Sequence, residues 1–189
     1  MFAIKNFTDN DDVRVLGSMG PFTVVEYLKD LSVTPSTAMT AYYCNEMNVR
    51  KRQVICDLSK ANITLQAGAM QWMAGNVNAT TGLKGVGDFF GKAVRGKVTG
   101  ESAVKPEYTG NGVLCLESPS PKEELIEVTL QDDVLKVDGN MAIAWSGTLD
   151  FTVERSGKTL LGSAASGEGL VNVYRGTGKV LLAPVGGNC

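Results

Sequence analysis

Two patterns in this chain have residue types suited to holding phosphate. One is the glycine-rich stretch GLKGVGDFFGKAVRG at 82–96, with its Gly91-Lys92 pair. The other is Gly-x-Gly, found after a tyrosine at Gly110/Gly112 and again at Gly176/Gly178. A phosphate loop of the G-x-x-x-x-G-K-[ST] form wraps backbone N–H groups around phosphate oxygens and sets its last hydroxyl on magnesium. Here Val86 stands where the first glycine belongs, and Ala93 replaces the hydroxyl. The dinucleotide pattern needs a third glycine that opens a helix. Phe90, Cys115 and Leu181 occupy that place after Gly85, Gly110 and Gly176, and strand-like residues follow the last two. Neither pattern supports a phosphate site.

Other chemistry fares no better. The 189-residue chain contains no histidine, which removes the commonest general base and every Ser-His or Cys-His nucleophile arrangement. Cys44, Cys56, Cys115 and Cys189 form no C-x-x-C pair, so they suit neither zinc nor a dense disulfide framework. They read as buried or incidental thiols. Glu101 and Glu168 sit at matching places in two similar segments, which repetition explains more simply than paired-carboxylate catalysis. No catalytic residue, cofactor or metal site is expected.

The elements around these residues read mostly as strands. Alternation in LDFTVE (149–154) puts Leu149, Phe151 and Val153 on one face. LIEVTL (125–130) and VLKVD (134–138) flank Gln131-Asp132-Asp133, which reads as a hairpin connection, and MAIAW (141–145) follows an Asp-Gly turn. A further turn falls at Ser156-Gly157, and GLVNVY and KVLLA close the series around Gly176. FTVVEYL (22–28), AMTAYYC (38–44), RQVICDL (52–58) and NITLQ (62–66) are strand candidates nearer the N-terminus. Glycine, 22 of 189 residues, suits many tight turns. The expectation is an all-β sandwich or barrel.

Arg50-Lys51-Arg52 is the tightest basic cluster and reads as a solvated hairpin tip, with Tyr42 and Tyr43 nearby as possible stacking groups. One segment departs from the β pattern. On a helical wheel, Leu83, Val86, Phe89, Phe90, Ala93 and Val94 fall on one side of 82–96, with Lys84, Asp88, Lys92 and Arg95 opposite. A short amphipathic helix is expected there. Its internal glycines cost about 1 kcal/mol each relative to alanine, so it must be held by packing. Leu83, Val86, Phe89, Phe90, Lys92 and Arg95 are therefore the candidate interaction surface, for a sheet of the same chain, another protein or a membrane surface.

The two Gly-x-Gly sites belong to longer similar units. GESAVKPEY (100–108) is followed by TGNGVLCL, and GEGLVNVY (167–174) by RGTGKVLL. Such self-similarity points to internal duplication, with units around 100–118 and 167–184. Gly110, Gly112, Gly176 and Gly178 then serve as structural turns between strands. With LQAGAMQWMAGNV (65–77), the 82–96 stretch, LKVDGNMAIAW and these units in order, the chain from about 62 to 185 resembles the mitochondrial-biogenesis family named for altered inheritance of mitochondria. That resemblance implies a TRAP-like, double-stranded β-helix fold over residues 1–189 as a single domain, and self-assembly as a homotrimer. It matches residues 1–60 less closely, and it implies no enzymatic reaction.

Net charge is −2, which argues against nucleic acid as a partner because phosphate contacts supply most non-specific affinity. No apolar run approaches signal-peptide or membrane-spanning length, so a cytoplasmic location is expected. The sequence as a whole reads as a non-enzymatic, self-assembling binding or scaffold protein. The alternatives are RNA binding by TRAP-like analogy and peripheral membrane association through 83–95.

Overall fold

Short runs that bury one face must pair at their edges and fold onto themselves, and here they do so as one curled sheet. The computed structural model describes residues 2–29, 33–80, 105–117, 125–155 and 170–184. The 82–96 segment, Glu101, Glu168, Ser156-Gly157 and Cys189 lie outside them. The strands are β1 (Val13–Met19), β2 (Phe22–Tyr27), β3 (Arg52–Asp57), β4 (Ile63–Leu65), β5 (Met70–Thr80), β6 (Glu107–Glu117), β7 (Ile126–Asp138), β8 (Ala142–Ser146), β9 (Asp150–Arg155) and β10 (Leu170–Leu182). Their order is β1-β2-β3-β6-β4-β8-β10-β7, with β5 on β6 and β9 on β10, all antiparallel. The sheet curls into half a barrel.

The expected strands at 22–28, 52–58, 62–66, 141–145 and 149–154 all form. The stretch at 38–44 does not: Ala38–Glu46 is the α-helix α1. β-Branched and aromatic residues favour the strand reading, but the ends decide otherwise. Asn48 takes a left-handed φ of 60°, its N–H bonds Asn45 O, and Val49 N–H reaches Cys44 O at 2.8 Å. Those two bonds make the Schellman stop that closes a helix.

Gln131-Asp132-Asp133 is likewise not a hairpin turn, because β7 runs straight through it. Gly176 pairs with Asp133 and Gly178 with Leu130, leaving Gln131 and Asp132 opposite Thr177 alone. This is a β-bulge. Asp132 takes φ 51° there, and Thr177 Oγ1 accepts its N–H at 3.0 Å. Residues typical of turns thus serve to kink a continuous strand.

The Gly-x-Gly pairs have the same character. They lie inside β6 and β10, so they are not turns between separate strands. Gly110 and Gly176 do adopt positive φ, 121° and 115°, where L side chains are strained. In both strands the pair marks a handover between partners. β6 pairs along one edge with β5, and along the other with β4 at Glu107 and Tyr108 and with β3 at 113–117. β10 pairs along one edge with β7, and along the other with β9 at 170–175 and with β8 at 180–182.

β4 and β8 join the two halves, with Thr64 opposite Trp145. One core holds Phe22, Val54, Ile63, Leu114, Ile143 and Leu181; a second holds Leu130, Leu149, Trp145, Tyr174 and Val180. A third, smaller cluster packs Phe7 and Val13 over Val25 and Cys115 on the opposite face of the first sheet half.

Candidate functional site

The most unusual chemistry lies where β1, β2 and β3 run side by side. Inward positions of β2 are Phe22 and Val24, and the same parity brings Glu26 inward, 1% exposed. An isolated carboxylate there would be costly. Arg14 and Arg52 stand opposite it on the two neighbouring strands. Arg14 Nη2 donates to Glu26 Oε1 at 2.7 Å, and Arg52 binds Oε2 through Nε at 3.0 Å and Nη2 at 2.9 Å. Burial pushes the Glu26 carboxyl up, but the hydrogen bonds from Arg52 and Arg14 outweigh it and hold the group below its ordinary value.

Arg50 completes the cluster, with Nε 3.9 Å from Glu26 Oε1. Its close contacts are with neutral acceptors: Asn45 Oδ1 at 2.6 Å, Leu28 O at 3.1 Å and Asn48 Oδ1 at 3.2 Å. Arg50 therefore ties the end of α1 to the end of β2. The basic triplet is accordingly no solvated hairpin tip. Arg52 is buried because it serves a carboxylate that lies distant in sequence. Arg50 is mostly covered because it holds Asn45, Asn48 and the Leu28 carbonyl. Lys51 alone faces outward, 3.9 Å from Glu117.

Above this cluster α1 does not close down on the sheet. None of its residues is buried, and between it and the ends of β2 and β3 lies a cavity of about 560 Å³. Leu28, Val33, Ala38, Ala41, Tyr42 and Val49 supply apolar wall. The charged wall is Lys29, Arg50, Lys51 and Arg52, with Glu117 the lining carboxylate among the described residues. A second cleft, about 440 Å³, lies between β1 and β7, where Leu16, Gly17 and Val24 face Leu125, Ile126 and Glu127; Arg52 lines it as well.

The outer side of α1 is apolar. Met39 is 72% exposed, Met47 77%, and Tyr42 and Tyr43 61% each; the two tyrosine rings meet edge-on, 5.5 Å apart. Of the residues singled out from sequence, Gly110, Gly112, Gly176 and Gly178 lie within strands and line neither cavity. Leu83, Val86, Phe89, Phe90, Lys92 and Arg95 are outside the described residues. Sequence reasoning missed Glu26, although a charge in register with Phe22 and Val24 on an apolar face is the signal of a buried ion pair.

Cys56 and Cys115 are buried free thiols; burial raises both, Cys115 to about 12. Such thiols are poor nucleophiles and poor metal ligands. Among the described residues no three of His, Cys, Asp and Glu gather as metal ligands, and no helix is long and apolar enough to cross a membrane.

A curled, wholly antiparallel sheet with a helix held off its edge over a cationic cavity defines a β-rich protein whose distinctive site is a cavity beside a buried ion cluster. Its family follows from the sequence: the profile described as mitochondrial biogenesis AIM24 matches residues 47–123 and 95–185. The chain belongs to that family. No curated protein matches it. Among solved structures, the crystal structure of a Streptococcus pyogenes protein aligns at 21% identity, over 72% of this chain and 88% of that one, with a TM-score of 0.30.

Proposed function

We propose that the chain is a non-enzymatic, self-assembling binding protein of the cytoplasm, a homotrimer of TRAP-like units built by duplication of the Tyr-x-Gly-x-Gly strand and its partners. The observation that carries the binding reading is α1, a helix with no buried residue that turns Met39, Tyr42 and Tyr43 to solvent, as does Met47 just past its end. Clustered apolar exposure of this kind marks an interaction surface. The matching partner handover in β6 and β10 supports duplication. The outer strands of the sheet, β1 and β7, carry exposed Val15, Leu16, Ile126 and Val134, and apolar strand edges favour association.

Light scattering on the purified chain tests the assembly. A mass of three chains at micromolar concentration is expected, and a monomer overturns it. The RNA reading has one favourable observation, the exposed Tyr42-Tyr43 pair, but Arg52 of the basic triplet is bound to Glu26 and the chain carries a net charge of −2. Fluorescence anisotropy with mixed oligonucleotides at low salt decides it, and an unchanged signal removes it.

A further inference from the structure

The space beneath α1 is a groove open to solvent on one side, where Val33 and Tyr42 are exposed. Interiors pack side chains to the density of organic crystals, yet here a helix stands off the sheet over about 560 Å³. That volume falls within the roughly 300–1,000 Å³ of pockets that hold small molecules. Its wall is divided by chemistry. Val33, Ala38, Ala41 and Val49 offer apolar surface, whereas Arg50 and Lys51 offer charge.

That charge is only loosely compensated. The nearest carboxylate to Arg50 is Glu26 at 3.9 Å, already bound by Arg14 and Arg52 at 2.7–2.9 Å. Lys51 reaches Glu117 only at 3.9 Å, with both side chains about half exposed. Arg50 uses Nε and Nη1 on Asn48, Leu28 and Asn45, and its Nη2 carries no hydrogen bond among the described residues. An anion seated between that nitrogen and Lys51 Nζ would gain charge-assisted hydrogen bonds. A ligand that is apolar throughout would leave the cations unused, and a small free anion would leave the apolar wall bare.

We infer that the α1 cavity binds a single-chain amphiphile with an anionic head, an alkyl carboxylate or alkyl phosphate. The head lies at Arg50 and Lys51, and the chain runs along Val33, Ala38 and Ala41. This deepens the binding reading above by naming a ligand class, and it is independent of the mass of the assembly.

The test uses the full chain and 11-(dansylamino)undecanoic acid, whose fluorescence rises in an apolar site. Saturable binding is expected at micromolar concentration, with displacement by palmitate, by hexadecyl phosphate or by both; which one competes better identifies the head. Hexadecanol, with the same chain and no charge, competes at least about tenfold more weakly. Lys51→Glu lowers affinity for the acid by about tenfold or more, the loss expected for one charge-assisted contact, and leaves the alcohol unaffected.

Ala41→Trp fills the cavity and abolishes binding, with circular dichroism confirming that the variant folds. Absence of binding by folded protein up to about 100 times the micromolar range overturns the inference. So does hexadecanol binding as tightly as palmitate, or unchanged affinity in Lys51→Glu. Flotation with anionic vesicles in the absence of any binding of the free acid also overturns it, in favour of a membrane surface. A trimer that binds none of these probes would refute the ligand class while leaving self-assembly intact.

Discussion

Glu26 and Arg52 sit directly opposite each other on β2 and β3, joined at one carboxylate oxygen by a hydrogen bond from Nε at 3.0 Å and an ion-pair contact from Nη2 at 2.9 Å. Both side chains are nearly or wholly out of solvent. The pair is therefore fixed by the ladder itself and lies on the inner face of the sheet, a position where charge survives only when matched.

Removing the carboxylate leaves Arg52 buried without its counter-charge. Glu26→Gln should destabilise the fold by about 3 kcal/mol, in the range for breaking a buried pair from one side, as measured by urea unfolding. The folded-state carboxyl lies below its ordinary value of 4.5. Its contribution is thus complete above that value and lost as pH falls through the lower folded value. As pH falls below 4.5, wild type should lose stability more steeply than Glu26→Gln.

The two Gly-x-Gly strands should respond unequally to the same substitution. A Cβ on Gly110 would lie 2.3 Å from the backbone oxygen of Asn76, whereas one on Gly176 would meet nothing closer than 3.7 Å. Both have positive φ. Gly176→Ala should cost only backbone strain, about 1–3 kcal/mol, and Gly110→Ala distinctly more. Equal losses in thermal unfolding would contradict the described β5–β6 approach.

Tyr174 is wholly buried against Trp145 and Phe151, with ring centroids 5.1 and 5.3 Å away. Its hydroxyl has no hydrogen-bond partner among the described residues, and burial pushes its ionisation up. Tyr174→Phe keeps the ring contacts and removes the orphan oxygen. Stability should be unchanged or raised by up to about 1 kcal/mol. A loss beyond that would mean the hydroxyl has a partner.

Thiol labelling separates the cysteines by depth. In a Cys189→Ser background at pH 8, Cys44, which is half-buried on the cavity wall, should react first with a disulfide reagent. Cys56 and Cys115, both raised by burial, should react only on unfolding. Simultaneous reaction of all three in native buffer would contradict the packing around Val54 and Leu114.

What was legible in the sequence divides by burial. β2, β3, β4 and β9 each have an apolar face that their sequence shows, and β8 stands out as a short apolar run after an Asp-Gly turn. β1 and β5 run mostly at the surface, so little apolar alternation betrays them. Residues 131–133 carry turn chemistry because a bulge and a turn ask for the same left-handed backbone, and only the pairing of Asp133 with Gly176 tells them apart. α1 is hidden for a different reason. Ala38, Ala41 and Cys44 are interspersed with Met39, Tyr42 and Tyr43, so no polar face sets off an apolar stripe, and its stop signal at Asn48 is a single residue. The cavity site was legible in half: the basic triplet stands out, but Glu26, which sets the roles of Arg50 and Arg52, is brought beside them only by strand pairing.

β8 is five residues long and buried throughout. Ile143 and Ala144 enter one core and Ala142 and Trp145 the other, the parity shifting at an irregularity opposite Leu181/Leu182. Neither half of the sheet can come apart without stripping this strand from the other. The two halves of the sheet therefore melt as one cooperative unit, and calorimetry should record a single transition whose calorimetric and van't Hoff enthalpies agree.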